Sequence, residues 1–399
     1  MIQRHDYINI LSHYRDKPVI KIVTGLRHCG KTTLFKQFQE QLKREGVSEE
    51  QILNLNFAES DQGIQTGKDL YDYVKARLQA GTRLYIFLDG VHLLPGFIRT
   101  VFGLSMKKEC DIYMAGPSAH LLDEEHTATL SGRYVEIKML PLSFSDYVSA
   151  HTGDKDVAGL FEDFITNSAL PYALELPNQK ARNYYLNGIY DTIILRDVVA
   201  KSRYPDLALL QGLLGYLAEN IGVTCSTKSI LDGLIYSGIK LSFHTLESYI
   251  AMLTDTSIIY RMGRYDIKGI QYLKTGDKYY ASDIGFLTAI LGKNKLNPGQ
   301  IIENMVFHEL LRRGNEVCIG KVGIKEVDFV SIGQQGIEYY QIAETVVSAD
   351  NILLKHELAP LKSIKDHHPK FLLTLDPTPQ KTHNGIRQMN VLEWLVTCQ

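Results

Sequence analysis

Residues 19–33 read Val19-Ile20-Lys21-Ile22-Val23-Thr24-Gly25-Leu26-Arg27-His28-Cys29-Gly30-Lys31-Thr32-Thr33. The spacing fits the pattern G-x-x-x-x-G-K-[ST], with an apolar strand before it and a helical stretch after it. Glycines let successive backbone N–H groups curl around phosphate oxygens, and the helix N-terminus adds partial positive charge. The stretch therefore predicts a phosphate-binding loop, in which Lys31 reaches the β- and γ-phosphates and the Thr32 hydroxyl ligates magnesium. The predicted nucleotide-binding residues are Gly25, Arg27, His28, Cys29, Gly30, Lys31, Thr32 and Thr33.

Short apolar runs alternate with helical stretches on both sides of this loop, up to about residue 147. The runs occupy residues 19–23, 52–57, 84–88 and 111–114. Near-continuous apolar runs that are separated by helical stretches are typical of a parallel sheet with helices on both faces. The sequence thus predicts an α/β fold of the P-loop NTPase type over residues 1–147.

A magnesium-associated acid is expected at the carboxyl end of a later strand, and Asp89 follows the apolar run 84–88. The alternative for Asp89 is an ordinary Asp-Gly turn. Many ATPases of this type place a glutamate next, which orients and deprotonates the attacking water. Here that residue is Gly90, which predicts binding with slow hydrolysis. Glu59, after a neighbouring strand, is a candidate substitute, and a solvated loop acid is the alternative.

The composition limits which classes of function and location are expected. The 399 residues carry 43 basic and 45 acidic side chains, a net charge of −2, which does not indicate a globally basic nucleic-acid binder. No signal peptide and no membrane-length apolar run is evident, so a cytoplasmic protein without a membrane contact is expected. The five cysteines are scattered and predict reduced thiols.

Three further regions follow the loop domain. Residues 148–204 are predicted to form a helical lid, and residues 205–282 short helices followed by a strand pair. Residues 283–399 are predicted to be α/β, with a helix at 301–313 and strands near 317–319, 327–330, 338–342 and 371–375.

Several co-linear motifs add a resemblance that covers essentially the whole chain. They are the segments 25–33, 88–89, 131–137, 141–144, 264–269, 302–304, 310–314 and 326–330. With these the sequence resembles prokaryotic AAA-like ATP-binding proteins that carry a C-terminal domain of uncharacterised function. The resemblance implies ATP and magnesium as cofactors, an ATPase core, a winged-helix domain at 205–282 and a restriction-endonuclease-like domain at 283–399.

The sequence departs from that family at three places. Gly90 replaces the second acid, and the polar sensor stretch reads Ala115-Gly116-Pro117-Ser118, which leaves Ser118 as the candidate sensor. The Gly-Gly-hydrophobic-Pro turn reads Ser168-Ala169-Leu170-Pro171. Arg133 matches the family's Gly-Arg and is a candidate for stabilising γ-phosphate charge, in the same chain or across a subunit interface. A structural arginine paired with a carboxylate is the equal alternative.

The middle region, residues 205–282, is compatible with a DNA-binding element or with a docking element. Residues 242–253 resemble a winged-helix recognition helix, with Ser242 as its cap, but Glu247 is its only formal charge. The hairpin at 261–278 carries basic residues interleaved with tyrosines, namely Arg261, Arg264, Lys268, Lys274 and Lys278 with Tyr265 and Tyr272. DNA contact is one hypothesis. An intramolecular or oligomeric docking role, with a protein partner or a second copy, is slightly favoured.

The C-terminal region matches half of a nuclease pattern. In restriction-like nucleases a helix acid, a strand acid and E-x-K on the next strand hold a metal ion and activate water. Glu303 and Asp328 fit the first two positions, whereas Gln341 and Ala343 replace the last two. The sequence predicts an inactive nuclease-like remnant of Glu303, Asp328 and Gln341, with structural acids as the alternative.

Three functional hypotheses follow. The first is an ATPase whose nucleotide state controls the appended domains. The second is a non-hydrolysing, ATP-dependent switch or scaffold. The third, an ATP-gated DNA nuclease, is disfavoured by Ala343.

Overall fold

The computed structural model describes residues 2–59, 63–130, 132–151, 156–194, 206–291, 297–348, 350–377 and 380–397. The boundary predicted between residues 204 and 205, Ser131 of the family motif, Cys398 and the side chain of Lys274 lie outside the described residues. The chain divides into two compact units, Met1–Pro141 and Leu142–Gln399.

The N-terminal unit is built on one parallel sheet. Its strands β1–β5 span Ile20–Thr24, Ile52–Asn56, Leu84–Asp89, Cys110–Ala115 and Tyr134–Lys138. Its helices α1–α6 span His5–Tyr14, Lys31–Arg44, Gly67–Lys75, Phe97–Ser105, Ser118–Leu121 and Glu124–Leu130. The strand order is β2-β3-β4-β1-β5, and each neighbouring pair is parallel. The first four strands were predicted from their apolar runs, and β5 was not.

Side-chain alternation along β3 explains why this sheet has helices on both faces. Leu84, Ile86 and Leu88 belong to an apolar cluster with residues of α3 and α4. Phe87, on the opposite face, stacks on Tyr113 of β4 and meets Phe35 of α2 edge-on, with ring centroids 4.7 and 5.2 Å apart. Successive residues of a strand point to opposite faces, so a continuous apolar run packs both layers. The predicted sheet with helices on both faces is confirmed.

The C-terminal unit begins with helices and ends with a mixed sheet. Its helices α7–α16 span Phe144–Ala150, Val157–Asn167, Gln179–Thr192, Leu207–Glu219, Thr227–Tyr236, Phe243–Asp255, Ile284–Leu291, Pro298–Arg312, Ile352–Lys362 and Val391–Thr397. Its strands β6–β13 span Ile259–Asp266, Gln271–Ala281, Glu316–Val322, Lys325–Gly333, Gly336–Ala343, Lys370–Thr374, Lys381–His383 and Ile386–Asn390. In the part of the chain that the structure describes, no helix is both long and apolar enough to cross a membrane.

The hairpin of β6 and β7 belongs to the same sheet as the later strands. The order is β12-β13-β11-β10-β9-β8-β6-β7, and β6 pairs with β8 in parallel. The sheet therefore extends on both sides of residue 282, where the sequence predicted a domain boundary. The hairpin is docked within its own chain.

Helix α12 has the local structure that its sequence predicted. The Ser242 hydroxyl accepts a hydrogen bond from the Thr245 amide at 3.1 Å and caps the helix. Leu246, Ile250 and Leu253 are buried on one side of it. Leucine and isoleucine at helical spacing thus form the inner face of this helix.

The turn at Ser168 has a backbone conformation that favours glycine. Ser168 has φ 85° and ψ 146°, a region that side-chain-bearing residues rarely adopt. Its hydroxyl donates to Asp283 Oδ2 at 2.9 Å, and the Ala169 amide donates to the same oxygen at 2.7 Å. The buried Asp283 carboxylate holds the serine in this conformation.

Candidate functional site

The loop between β1 and α2 follows a path that its glycines permit. Gly25 has φ 138°, and a Cβ at this position would lie 2.1 Å from the carbonyl oxygen of Met139. Gly30, with φ 106°, caps α2 in a left-handed conformation. Side chains are excluded at Gly25 by contact and disfavoured at Gly30 by backbone strain. The first and last glycines of the motif are therefore structural requirements of the loop.

The cationic side chains of the loop lie together. Lys31 Nζ donates to the carbonyl oxygens of Gly25 and Leu26 at 3.0 and 2.8 Å, so its ammonium lies within the loop's curve. Partial burial lowers the pKa of His28, and the positive charges of Lys31 and Arg27 lower it further. The charges of Lys31 and Arg27 at a helix N-terminus favour an anion there.

Two other residues predicted to bind the nucleotide are buried or half-buried in the protein. Cys29 is fully buried, and its thiol points to the carbonyl oxygen of Met139 at 3.6 Å. Thr33 is half-buried in the first turn of α2. Cys29, Cys110, Cys225 and Cys318, the cysteines within the described residues, are all buried free thiols.

Thr32 and Asp89 meet at the carboxyl edge of the sheet. The Thr32 hydroxyl donates to Asp89 Oδ2 at 2.5 Å. Burial raises the pKa of Asp89, while the hydrogen bond from Thr32 and the charge of Lys31 oppose that rise. Magnesium binds few protein groups and prefers hydroxyl and carboxylate oxygens. This adjacent pair of oxygen ligands fits a nucleotide-bound magnesium ion.

Gly90 is held in a conformation that suits glycine. Its φ is 68°, and its amide donates to the Ala115 carbonyl at 3.0 Å. A Cβ at this position would meet the Ala58 amide nitrogen at 3.6 Å, an ordinary contact. Space for a side chain exists, but the left-handed backbone costs any other residue about 1–2 kcal/mol.

Glu59 lies near Asp89 without contacting the loop lysine. It is exposed and follows β2, and its negative charge adds to the larger effect of burial in raising the pKa of Asp89. The structure leaves it a candidate carboxylate for water activation.

Ser118 is joined to an acid that the sequence analysis missed. Its hydroxyl donates to Glu136 Oε1 at 3.3 Å, and the Thr24 hydroxyl donates to the same oxygen at 2.7 Å. Thr24 directly precedes Gly25, and Glu136 lies on β5. The acid thus links the sensor position to the entry of the phosphate loop. Its only signal in the sequence was an acid inside a short strand of mixed polar and apolar residues.

Arg133 is not brought to the phosphate loop of its own chain. It precedes β5, and its carbonyl accepts from Ile20 at the start of β1, whereas the loop follows the end of β1. Strand residues rise about 3.3 Å each, which places the loop roughly 16 Å away along the sheet. This placement does not support a γ-phosphate contact within one chain, and a contact across a subunit interface stays a prediction. Among the described residues, the Arg133 guanidinium contacts Met106 Sδ at 2.8 Å and no carboxylate.

Several basic residues of the hairpin form ion pairs with acids of the same unit. Arg261 pairs with Glu247 of α12 at 3.0 Å and with Asp277 at 2.7 Å. Arg264 lies 4.0 Å from Glu326, and Lys278 is buried among acids. Lys268 is exposed at the turn. DNA contact by this hairpin stays a prediction, with fewer free charges than the sequence suggested.

Two of the three nuclease-like residues converge. Glu303 and Asp328 both contact the ammonium of Lys278, at 2.9 and 3.6 Å. Gln341 donates instead to Glu357 at 3.1 Å. Lys278 was seen in the sequence only as one of the hairpin's basic residues.

Comparisons with known proteins agree with the geometry of the loop. Residues 17–148 match the model of an AAA domain, and residues 159–297 match a domain of unknown function, DUF8612. An uncharacterized protein of Haemophilus influenzae is 32% identical over 401 residues, covering 99% of each chain. The chain belongs to that protein's family. The N-terminal unit of this family member is a P-loop domain of the AAA type.

Two further proteins are similar to this chain to a lesser degree. An uncharacterized protein of Methanocaldococcus jannaschii is 26% identical over 79% of this chain and 72% of its own. A Walker-type ATPase of Pyrococcus abyssi is similar in structure, with 14% identity, 73% of this chain and 96% of that chain covered, and a TM-score of 0.47.

Proposed function

We propose that this protein binds ATP with magnesium in its AAA domain, hydrolyses it slowly, and uses the nucleotide state to control its C-terminal regions. The observation that carries the proposal is the joint placement of Lys31, Thr32 and Asp89 beside Gly90. The binding groups are assembled, and the adjacent position has no side chain to activate water. Adenine follows from the AAA match, since no guanine-reading motif is evident.

Each residue of the site has a distinct role in this proposal. The loop amides and Lys31 bind the phosphates, and Thr32 with Asp89 would hold magnesium, which neutralises charge developing on the phosphate oxygens. Ser118 contacts the γ-phosphate, and Glu136 is a positioning residue that holds Ser118 and Thr24. Glu59 is the nearby candidate for orienting water.

The appended regions have proposed folds as well. Helices α10–α12 followed by the β6–β7 hairpin support a winged-helix domain, and α14 packed with β8–β10 supports a restriction-endonuclease-like one. Ala343 stands where the nuclease pattern has its lysine, so nuclease activity is not part of the proposal. A non-hydrolysing switch is the second candidate, and the left-handed Gly90 favours it, because this backbone selects against an acid there.

The test combines nucleotide affinity with single-turnover hydrolysis of ATP. Lys31→Ala should weaken binding about 10- to 100-fold, because a hydrogen bond from a charged group contributes roughly 1.5–3 kcal/mol. Slow wild-type turnover that disappears in Lys31→Ala supports the ATPase. Tight binding without any turnover supports the switch, and absence of binding rejects both.

Gly90→Glu and Gly90→Gln form a matched pair for the missing acid. Both carry the same left-handed strain, so their difference reports the carboxylate alone. A general base contributes typically 10²–10⁴-fold, so Gly90→Glu should turn over at least about 100-fold faster than Gly90→Gln. Equal rates would show that the glycine is not what limits hydrolysis.

A further inference from the structure

A buried lysine lies at the centre of three carboxylates in the C-terminal unit. Lys278 of β7 is 3% exposed, and its Nζ lies 2.9 Å from Glu303, 3.0 Å from Glu326 and 3.6 Å from Asp328. Lysine is almost never fully buried unless it is paired. Its burial here depends on the three acids.

The cluster joins elements that are distant in the sequence and in the sheet. Glu303 comes from α14, while Glu326 and Asp328 come from β9. In the strand order, β8 and β6 stand between β9 and β7, yet Lys278 reaches both acids of β9. The lysine therefore ties the hairpin to the helix and to a non-adjacent strand.

Each carboxylate has further donors that fix its orientation. Tyr280 donates to Glu303 at 2.7 Å, Thr224 to Glu326 at 2.8 Å, and the Ile342 amide to Asp328 at 2.8 Å. A Cβ on Gly222 would come within 3.0 Å of the Glu303 carboxylate, so the turn after α10 closes over it. The acids are held in place around the ammonium.

The spacing of these groups suits an ammonium and not a divalent metal ion. Metal–oxygen distances are about 2.0–2.6 Å for magnesium and calcium, shorter than the contacts of Lys278. Among the described residues, no set of three or more His, Cys, Asp or Glu side chains is arranged to hold a metal ion. The metal that a nuclease-like pattern implies does not fit this cluster as it stands.

Gln341 is a neutral residue at a position where an acid would add to the cluster. It is buried next to the Ile342 amide that binds Asp328, and within the described residues its Oε1 has no hydrogen-bond partner. An acid at this position would add a fourth carboxylate. Its neutral amide adds no charge, so three carboxylates surround the single positive charge of Lys278.

We propose that Lys278 is the resident cation of this cluster and takes the place of a divalent metal ion, so that the native chain binds no metal there. Its ammonium pairs with Glu303, Glu326 and Asp328, offsets part of their negative charge, and locks the β6–β7 hairpin onto the C-terminal sheet. Removing the ammonium leaves three carboxylates without their cation, which can then close to metal–oxygen distances and bind a divalent metal ion. This proposal is independent of nucleotide chemistry.

The experiment counts manganese ions bound by the nucleotide-free full-length chain in equilibrium dialysis. Lys278→Met should bind one more Mn²⁺ ion than the native chain, and Lys278→Met/Asp328→Asn should lose it again. The same ion should raise the thermal midpoint of Lys278→Met and leave that of the native chain unchanged. A folded Lys278→Met that gains no manganese overturns the proposal.

The native chain provides a test that does not depend on the variant's folding. Asp328→Asn in the otherwise native chain should leave its manganese count unchanged, because Lys278 already excludes metal. A native ion that disappears with Asp328→Asn overturns the proposal. Lys278→Arg, which keeps the charge, should bind no additional ion; an additional ion would show that charge is not what excludes metal.

Discussion

At the residue scale, Glu136 stands where three segments of the chain meet. Its Oε1 accepts hydrogen bonds from Thr24, at the entry of the phosphate loop, and from Ser118, after β4. Its Oε2 lies 3.9 Å from Lys138 Nζ, and the side chain is 23% exposed. A carboxylate in this place can act through the two hydroxyls it orients or directly as a base for water.

Glu136→Gln and Glu136→Ala distinguish these two roles. Glutamine retains an acceptor oxygen for both hydroxyls, and alanine removes it. If Glu136 positions Ser118, single-turnover hydrolysis should fall about 5- to 10-fold in Glu136→Ala, the effect of one lost hydrogen bond, and stay within about twofold in Glu136→Gln. Nucleotide affinity should be unchanged in both.

If Glu136 is instead a general base, the loss of hydrolysis rate should be larger. A general base would lose about 10²–10⁴-fold in the glutamine variant as well as in alanine. Where wild-type turnover is too slow to measure, the Gly90→Glu background provides the reference. Unchanged turnover in both variants would remove Glu136 from the site.

What the sequence reveals at this scale depends on how local the chemistry is. Lys31 and Thr32 were found because a loop and the helix after it form one short motif, and Asp89 because it ends an apolar strand. Glu136 and Lys278 were missed as site residues. Their partners lie far away along the chain, as with Thr24 and Ser118 for the former, and only the tertiary structure brings them together.

At the element scale, strands with a clear apolar pattern were easier to predict than short or mixed ones. The runs that predicted β1, β3 and β4 are apolar on both faces, because these strands lie inside the sheet. β5 is an edge strand and reads Tyr134-Val135-Glu136-Ile137-Lys138, a mixed pattern that does not stand out. In the C-terminal sheet, β12 and β13 also lie at one edge and are polar or short. Local patterning therefore predicted strands with a clear apolar pattern, including β2 at a sheet edge, and missed short or mixed ones.

Helix α14 carries a pH-sensitive packing contact. His308 is buried, and its Nε2 hydrogen bonds to the Ala281 carbonyl of β7 at 2.6 Å. Burial and, to a smaller extent, the charge of Arg312 lower the pKa of His308 to about 4, although the hydrogen bond to Ala281 acts in the opposite direction. The folded chain thus prefers the neutral ring, with Nε2 as the donor.

Stability should therefore fall as pH drops from about 6.5 to about 4. The unfolded chain takes up a proton near its ordinary pKa of about 6.5, whereas the folded chain resists until about 4, so the unfolded state gains. The shift corresponds to roughly 3 kcal/mol of unfolding free energy. Urea unfolding at a series of pH values should show this loss, and His308→Gln should flatten it. An equally steep loss in His308→Gln would assign the acid sensitivity to other groups.

At the scale of the whole molecule, two compact units share one chain, and the nucleotide loop belongs to the first. A ligand that binds only the folded state stabilises it by about 2.7 kcal/mol at one hundred times its dissociation constant. Nucleotide binding by itself therefore stabilises the N-terminal unit. Control of the C-terminal regions requires in addition that the nucleotide change their conformational equilibrium.

Hydrogen exchange with and without ATP and magnesium separates binding from control. In the wild type, exchange should slow in the loop of residues 25–33 and around Asp89, and Lys31→Ala should abolish this protection. Under the proposed function, a second, nucleotide-dependent change should appear within Leu142–Gln399 and be absent in Lys31→Ala. Protection confined to Met1–Pro141 would leave the protein an ATP-binding one and reject nucleotide control of the appended regions. A change in the C-terminal unit that persists in Lys31→Ala would show that it does not arise from the phosphate loop.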